Sequence, residues 1–227
     1  MYRVRWFIVN WNNCYSRVID GILSDMYDED KNYGFKAYKK QKGILYGAFI
    51  KKKEIEEQIE NPLTNEIISY KKIMYEETKF NLENKKLGIE LINPNRSIQE
   101  VINTFSSLSA FNISVKNLDI DLVKFINLLK LEFNSLLISD IECKDIKIKK
   151  NTTIKIVAKN NRTDVYIDID KFLENHKYMI EKIKCSIIIN NISMSFELTN
   201  KGSFKTNKKN IESLVPIVKN NILKITN

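Results

Sequence analysis

Residues 183–198 read IKCSIIINNISMSFEL, and the folding of this stretch fixes the layer to which the rest of the C-terminal third must fit. Apolar and polar side chains alternate on both sides of Asn190-Asn191, a pair that tolerates the positive φ of a two-residue hairpin turn. Pairing Ile183–Ile189 with Ile192–Leu198 collects Ile183, Cys185, Ile187, Ile189, Ile192, Met194, Phe196 and Leu198 on one face. It also sets Lys184 opposite Glu197. A slip of one residue would turn that apolar set outward and leave Ser186, Ser193 and Ser195 inside, so one register is strongly specified.

On the N-terminal side, Ile154–Ala158 and Val165–Ile169 alternate in the same way. Pairing them across an Asn161-Arg162 turn sets Lys159 opposite Asp164 and Lys155 opposite Asp168. The spacing predicts a helix over Lys171–Lys182, capped by Asp170, between the two hairpins. A strand in which Ile146 and Ile148 alternate with Lys147 and Lys149 precedes them. Beyond the second hairpin a Lys-rich loop, Asn200–Lys209, leads to a helix capped by Asn210, in which Pro216 either kinks the first turns or marks the start. The expected fold class is α+β, with antiparallel sheets packed against a few helices and a C-terminal hairpin, helix, hairpin layer.

The N-terminal part opens on a strand, Tyr2–Asn10, with Tyr2, Val4, Trp6 and Ile8 on one face and Arg3 and Arg5 on the other. Val18, Ile19, Ile22, Leu23 and Met26 recur at helical spacing. Strands follow around 34–38 and 43–50, joined by a polar turn at Lys39–Lys42, with further extended segments at 67–82 and 87–92. Ser97 and Glu100 have capping-box spacing ahead of Ile98, Val101, Ile102, Phe105 and Leu108. A third helix, Asp121–Phe133, has Asp121 as its N-cap and turns Leu122, Phe125, Ile126, Leu129 and Leu136 inward. A soft division falls near residue 142, giving a neutral half, 1–142, and a basic half, 143–227, which could share one core.

That division is one of charge. Residues 1–142 carry 20 Lys/Arg and 20 Asp/Glu, whereas 143–227 carry 17 and 8, which accounts for the whole net charge of +9. Clustered cations suit a polyanion, because phosphates reward them through counterion release. Lys, Ile and Asn make up 94 of the 227 residues, so part of the lysine content is compositional. Lys outnumbers Arg 32 to 5, which suits point-charge contact with backbone phosphate better than bidentate reading of bases. The candidate nucleic-acid-binding residues are Lys144, Lys147, Lys149, Lys150, Lys155, Lys159 and Arg162, with Lys201, Lys205, Lys208 and Lys209 from the later loop. Tyr166, Tyr178 and Phe204 are the only nearby rings on which bases could stack, which favours duplex backbone over single strands.

Other chemistry is thinly represented. Glu142-Cys143-Lys144 and Glu77-Thr78-Lys79 have the E-x-K spacing of metal-dependent nucleases, with Asp119 and Asp121 upstream of the first. Asp168 and Asp170 could hold Mg²⁺, although cross-strand pairing and helix capping account for them more simply. His176 is the only histidine, and its apolar neighbours predict a packed, hydrogen-bonded side chain. Gly202-Ser203-Phe204-Lys205-Thr206 echoes a phosphate loop but lacks the upstream glycine and the glycine before the lysine. Cys14, Cys143 and Cys185 are odd in number and widely spaced, which predicts reduced, mostly buried thiols. No metal or other cofactor is called for. No apolar run reaches the roughly 18 residues that span a bilayer, so no membrane association is expected and the chain reads as cytoplasmic.

An aromatic opening strand (Arg3–Asn10), a meander holding Tyr46-Gly47-Ala48-Phe49 and a later basic strand run (Ile146–Lys159) give a layout that resembles small DNA-associated proteins of phage defence and exclusion. The Rex A proteins of lambdoid phages and the KwaB subunit of Kiwa are of this kind. The resemblance covers the order of elements and transfers no functional residue. It implies a non-catalytic homodimer or complex subunit that senses or grips DNA. The expected function is therefore a nucleic-acid-binding accessory protein. The alternatives are a protein-only complex subunit or regulator and, third, a metal-dependent nuclease.

Overall fold

A computed structural model of the chain describes all residues except Arg96, Ser97, Lys150, Asn151, Asn161, Asn175 and Asn227, together with the side chains of Ile148 and Lys149. In chain order the elements are β1 (Tyr2–Asn10), α1 (Tyr15–Ser24), β2 (Tyr33–Gln41), β3 (Ile44–Glu60), β4 (Ile67–Glu83), β5 (Ile89–Ile92), α2 (Gln99–Leu108) and β6 (Ser114–Asn117). There follow α3 (Leu122–Glu132), β7 (Leu137–Lys149), β8 (Thr152–Lys159), α4 (Val165–Phe172), β9 (Met179–Ile189), β10 (Ile192–Thr199), β11 (Ser203–Thr206) and α5 (Ile211–Thr226). The fold is α+β with antiparallel strand pairing. None of the described helices is long and apolar enough to cross a membrane.

The chain forms two compact units. One comprises Met1–Phe7 with Lys116–Asn227, the other Ile8–Val115. The charge division near residue 142 falls inside β7, so charge and packing divide the chain at different places. Counted by unit, the first holds 22 Lys/Arg against 13 Asp/Glu and the second 15 of each.

In the first unit the strand order is β1-β11-β10-β9-β7-β8. The β9–β10 hairpin has the register expected of residues 183–198: Ile183 faces Leu198, Cys185 faces Phe196 and Ile187 faces Met194. Asn190 and Asn191 both have positive φ, 49° and 63°, the geometry of a primed hairpin turn. All six of those apolar residues are buried, while Ile192 beside the turn remains 54 % exposed. Phe196, Phe204 and Trp6 extend the core across β10, β11 and β1, with ring centroids 5.7 and 5.6 Å apart. Helix α3 begins as its sequence requires: Asp121 accepts hydrogen bonds from the N–H groups of Val123 and Lys124, and Leu122, Phe125, Ile126 and Leu129 are buried. Gly202 has φ +74°, and a Cβ there would lie 2.5 Å from Leu118, so the β10–β11 turn requires glycine on both counts.

The first hairpin expected in the basic part does not form. Val165–Phe172 is helical, and β8 pairs instead with β7, Lys159 facing Asp140 and Val157 facing Glu142. Two periodicities compete here. Val165, Ile167 and Ile169 alternate, but Val165, Tyr166, Ile169 and Leu173 also make a helical stripe, and these four are buried while Ile167 is 49 % exposed. Asp164 decides between them by accepting a hydrogen bond from the Tyr166 N–H at 3.0 Å, which makes it the N-cap. The helix expected over 171–182 is accordingly displaced, and β9 already begins at Met179. Ile180 and Ile183 are both buried because the β7–β9 register shifts between Glu142 and Cys143, and such an irregularity imitates helical spacing. His176 lies exposed in the turn between α4 and β9 and does not pack in the core. Pro216 lies inside α5 and does not mark its start.

In the second unit the order is β2-β3-β4-β5, with α1 and α2 contributing Val18, Ile19, Ile22, Val101, Ile102 and Phe105 to the core. Phe35, Phe80 and Phe105 form an aromatic cluster with centroids 5.2–6.0 Å apart. The β2–β3 turn sits at Lys42 and Gly43, both at positive φ, so β2 runs through the segment expected to be a turn. Ser97 of the expected capping box lies outside the described residues, and the Glu100 carboxylate accepts from Lys51 Nζ at 2.7 Å. β3 and β4 are each 17 residues long and paired throughout.

Candidate nucleic-acid interface

In the first unit, apolar residues fill one face of the sheet, and the other carries the charged side chains together with serines and the exposed Val157 and Ile188. Register alone generates a row across six strands: Lys159 on β8, Asp140 on β7, Lys184 on β9, Glu197 on β10, Lys205 on β11 and Arg3 on β1. Each residue stands opposite its neighbour in the row. Beside it, Glu142 on β7 faces Lys182 on β9, and Arg5 shares the side of Arg3. Arg5 donates a hydrogen bond to Asn117 Oδ1 at 2.9 Å.

The carboxylates of β7 and β9 each serve two lysines. Asp140 lies 3.7 Å from Lys159 and 3.9 Å from Lys184. Glu142 accepts from Lys155 at 2.9 Å and from Lys182. Glu181 accepts from Lys155 at 2.7 Å and Lys144 at 3.3 Å. The Asp140 and Glu142 side chains are only 16 % and 17 % exposed, lying between more exposed lysines. Lysine hydrogen bonds therefore hold Glu142 and Glu181 below the usual carboxylate range, Lys182 being the largest influence on Glu142 and Lys155 on Glu181. Lys155, bonded to both Glu181 and Glu142, is shifted upward. On this face Lys144, Lys155, Lys159, Lys182, Lys184, Lys205, Arg3 and Arg5 stand against Asp140, Glu142, Glu181 and Glu197, a surplus of about four cations that phosphate could neutralise.

The candidates read from sequence separate into groups. Lys144, Lys155, Lys159 and Lys205 come together on the polar face, each within an ion pair. Lys155 and Lys159 are partnered by Glu142, Glu181 and Asp140, in place of the expected Asp168 and Asp164. Lys147 is exposed at the end of β7, opposite Thr153. The Lys149 side chain and all of Lys150 lie outside the described residues. Arg162 is exposed in the β8–α4 connection, Lys201 pairs with Asp119 at 3.1 Å beside the β10–β11 turn, and Lys208 and Lys209 are exposed in a short 3₁₀ turn before α5. These last four stand off the sheet strands.

Sequence reasoning missed Lys182, Lys184, Arg3 and Arg5 as members of the site. The alternation that puts Lys184, Arg3 and Arg5 on outer faces was visible, whereas Lys182 was expected to end a helix, and the β1–β11 pairing that joins the arginines to the lysines links positions some two hundred residues apart. Of the three possible stacking rings, Phe204 and Tyr166 are buried, and Tyr178 donates its hydroxyl hydrogen to Asp170 at 3.0 Å.

The carboxylates of the nuclease reading do not converge. Glu142 is held by two lysines, Glu77 accepts from the Tyr38 hydroxyl at 2.6 Å, Asp119 pairs with Lys201, and Asp121 caps α3. Among the described residues no group of three or more His, Cys, Asp or Glu side chains is placed to hold a metal ion. Comparison of the chain with protein-family models and with curated proteins finds no match.

Proposed function

We propose that this protein is a non-catalytic nucleic-acid-binding accessory protein that contacts backbone phosphate with the polar face of its basic unit. The observation that carries the reading is the sharing of carboxylates. Asp140, Glu142 and Glu181 are each divided between two lysines, so a surplus of positive charge persists across β8, β7 and β9 even though nearly every lysine there has a partner. Fixed ammonium groups in rows suit a repeating phosphate chain and carry no information about base sequence. The role as an accessory subunit is what the resemblance of the sequence layout to phage-defence proteins implies. Duplex DNA titrated against the Lys182→Gln/Lys184→Gln variant tests the reading. Affinity should fall by a similar factor for unrelated sequences, and undiminished affinity in the folded variant would contradict it.

A further inference from the structure

Beyond Lys52 and Tyr75 the β3–β4 hairpin leaves its sheet. β2 pairs with β3 only as far as Lys51, and β5 pairs with β4 only over Lys79–Leu82, so residues 53–74 form a two-stranded ribbon paired with itself. Eight residues from Lys53 to Glu60 give it a length of about 26 Å. A two-stranded ribbon in water is marginal on its own, and this one exposes Ile59, Ile67, Ile68, Ile73 and, at 92 %, Leu63 in the end loop. Such an arm is suited to being covered.

Its charge identifies the cover. Residues 53–74 hold five glutamates, all between Glu54 and Glu66, and three lysines, Lys53, Lys71 and Lys72, which stand at the base of the ribbon, so its acidic end is the tip. Glu54, Glu56 and Glu60 project from one side of β3, with Lys71 opposite Glu56, and none of the three is within an ion pair among the described residues. An acidic tip repels phosphate, which excludes a nucleic-acid arm. It complements a surface of the same chain, the polar sheet face on which cations outnumber carboxylates by about four. We propose that the acidic arm of one copy docks on the polar face of the basic unit of a second copy, so that self-association and nucleic-acid binding compete for one surface. The competition rests on the phosphate-binding reading of that face; the docking itself does not.

Sedimentation velocity of the full chain at low salt, over a wide concentration range, tests the proposal. The wild type should associate with rising concentration and dissociate on addition of salt or of a short duplex DNA. Glu54→Lys/Glu56→Lys/Glu60→Lys and Lys182→Glu/Lys184→Glu should each be monomeric alone, and an equimolar mixture should associate again because the acidic arm kept by the second variant meets the basic face kept by the first. Circular dichroism establishes that each variant is folded, and Lys182→Gln/Lys184→Gln, which should lose association in the same way, replaces the reversal if that one is not. A wild type that stays monomeric, variants that associate like the wild type, or a mixture that does not recover association overturns the docking. Charge-dependent association in a protein that binds no nucleic acid overturns the phosphate reading and leaves the docking intact.

Discussion

Phe196 and Ser195 are adjacent on β10, yet Phe196 is 1 % exposed between Cys185 and Phe204 while Ser195 lies on the other face. Phe196→Ala should cost about 3–5 kcal/mol through lost transfer energy and a residual cavity. Ser195→Ala should change the melting temperature very little, and thermal unfolding of the pair checks the register. The shared carboxylates carry a second residue-scale expectation. Because lysines depress the folded-state pKa values of Glu142 and Glu181, these groups contribute stability that is present above their unfolded pKa, near 4.5, and is lost as pH falls through the lower folded values. Lys155→Met removes a hydrogen bond from each, so melting temperatures measured from neutral to acid pH should fall less steeply in the variant than in the wild type.

At the scale of elements, α4 shows where the sequence was ambiguous and what resolves it. The Asp164 side chain caps the helix and also pairs with Lys130 at 3.2 Å, whereas Asp168 lies exposed in the first turn. Asp164→Ala should therefore cost about 0.5–2 kcal/mol, the usual range for a lost N-cap, and Asp168→Ala distinctly less, as chemical denaturation would show. The β9–β10 hairpin was legible down to individual partners, because strict alternation and an Asn-Asn turn leave a single register. The partner of β8 was not. Alternation says which face a residue takes but not which strand lies beside it, and the nearest alternating segment in sequence, Val165–Ile169, satisfies a helix equally well. The length of the β3–β4 arm was half hidden: its second strand read as extended from Ile67, but the first was expected to stop near Ile50, where apolar alternation gives way to charged residues.

For the molecule as a whole, the sequence located the excess charge and the fold redistributes it. Arg3 and Arg5, far from the basic third, join its sheet, while Lys201, Lys208 and Lys209 remain at turns off the strands. Much of the basic third is thus internally compensated, and the free surplus on the polar face is smaller than the net charge of +9. This bears directly on binding, since only uncompensated cations release counterions from a duplex. The salt dependence of duplex affinity is the most direct measurement. With about four surplus cations, log K against log salt should have a slope of about −3 to −4, shallower in Lys182→Gln/Lys184→Gln and insensitive to DNA sequence. A slope near zero, or one unchanged in the folded variant, would contradict phosphate binding by this face.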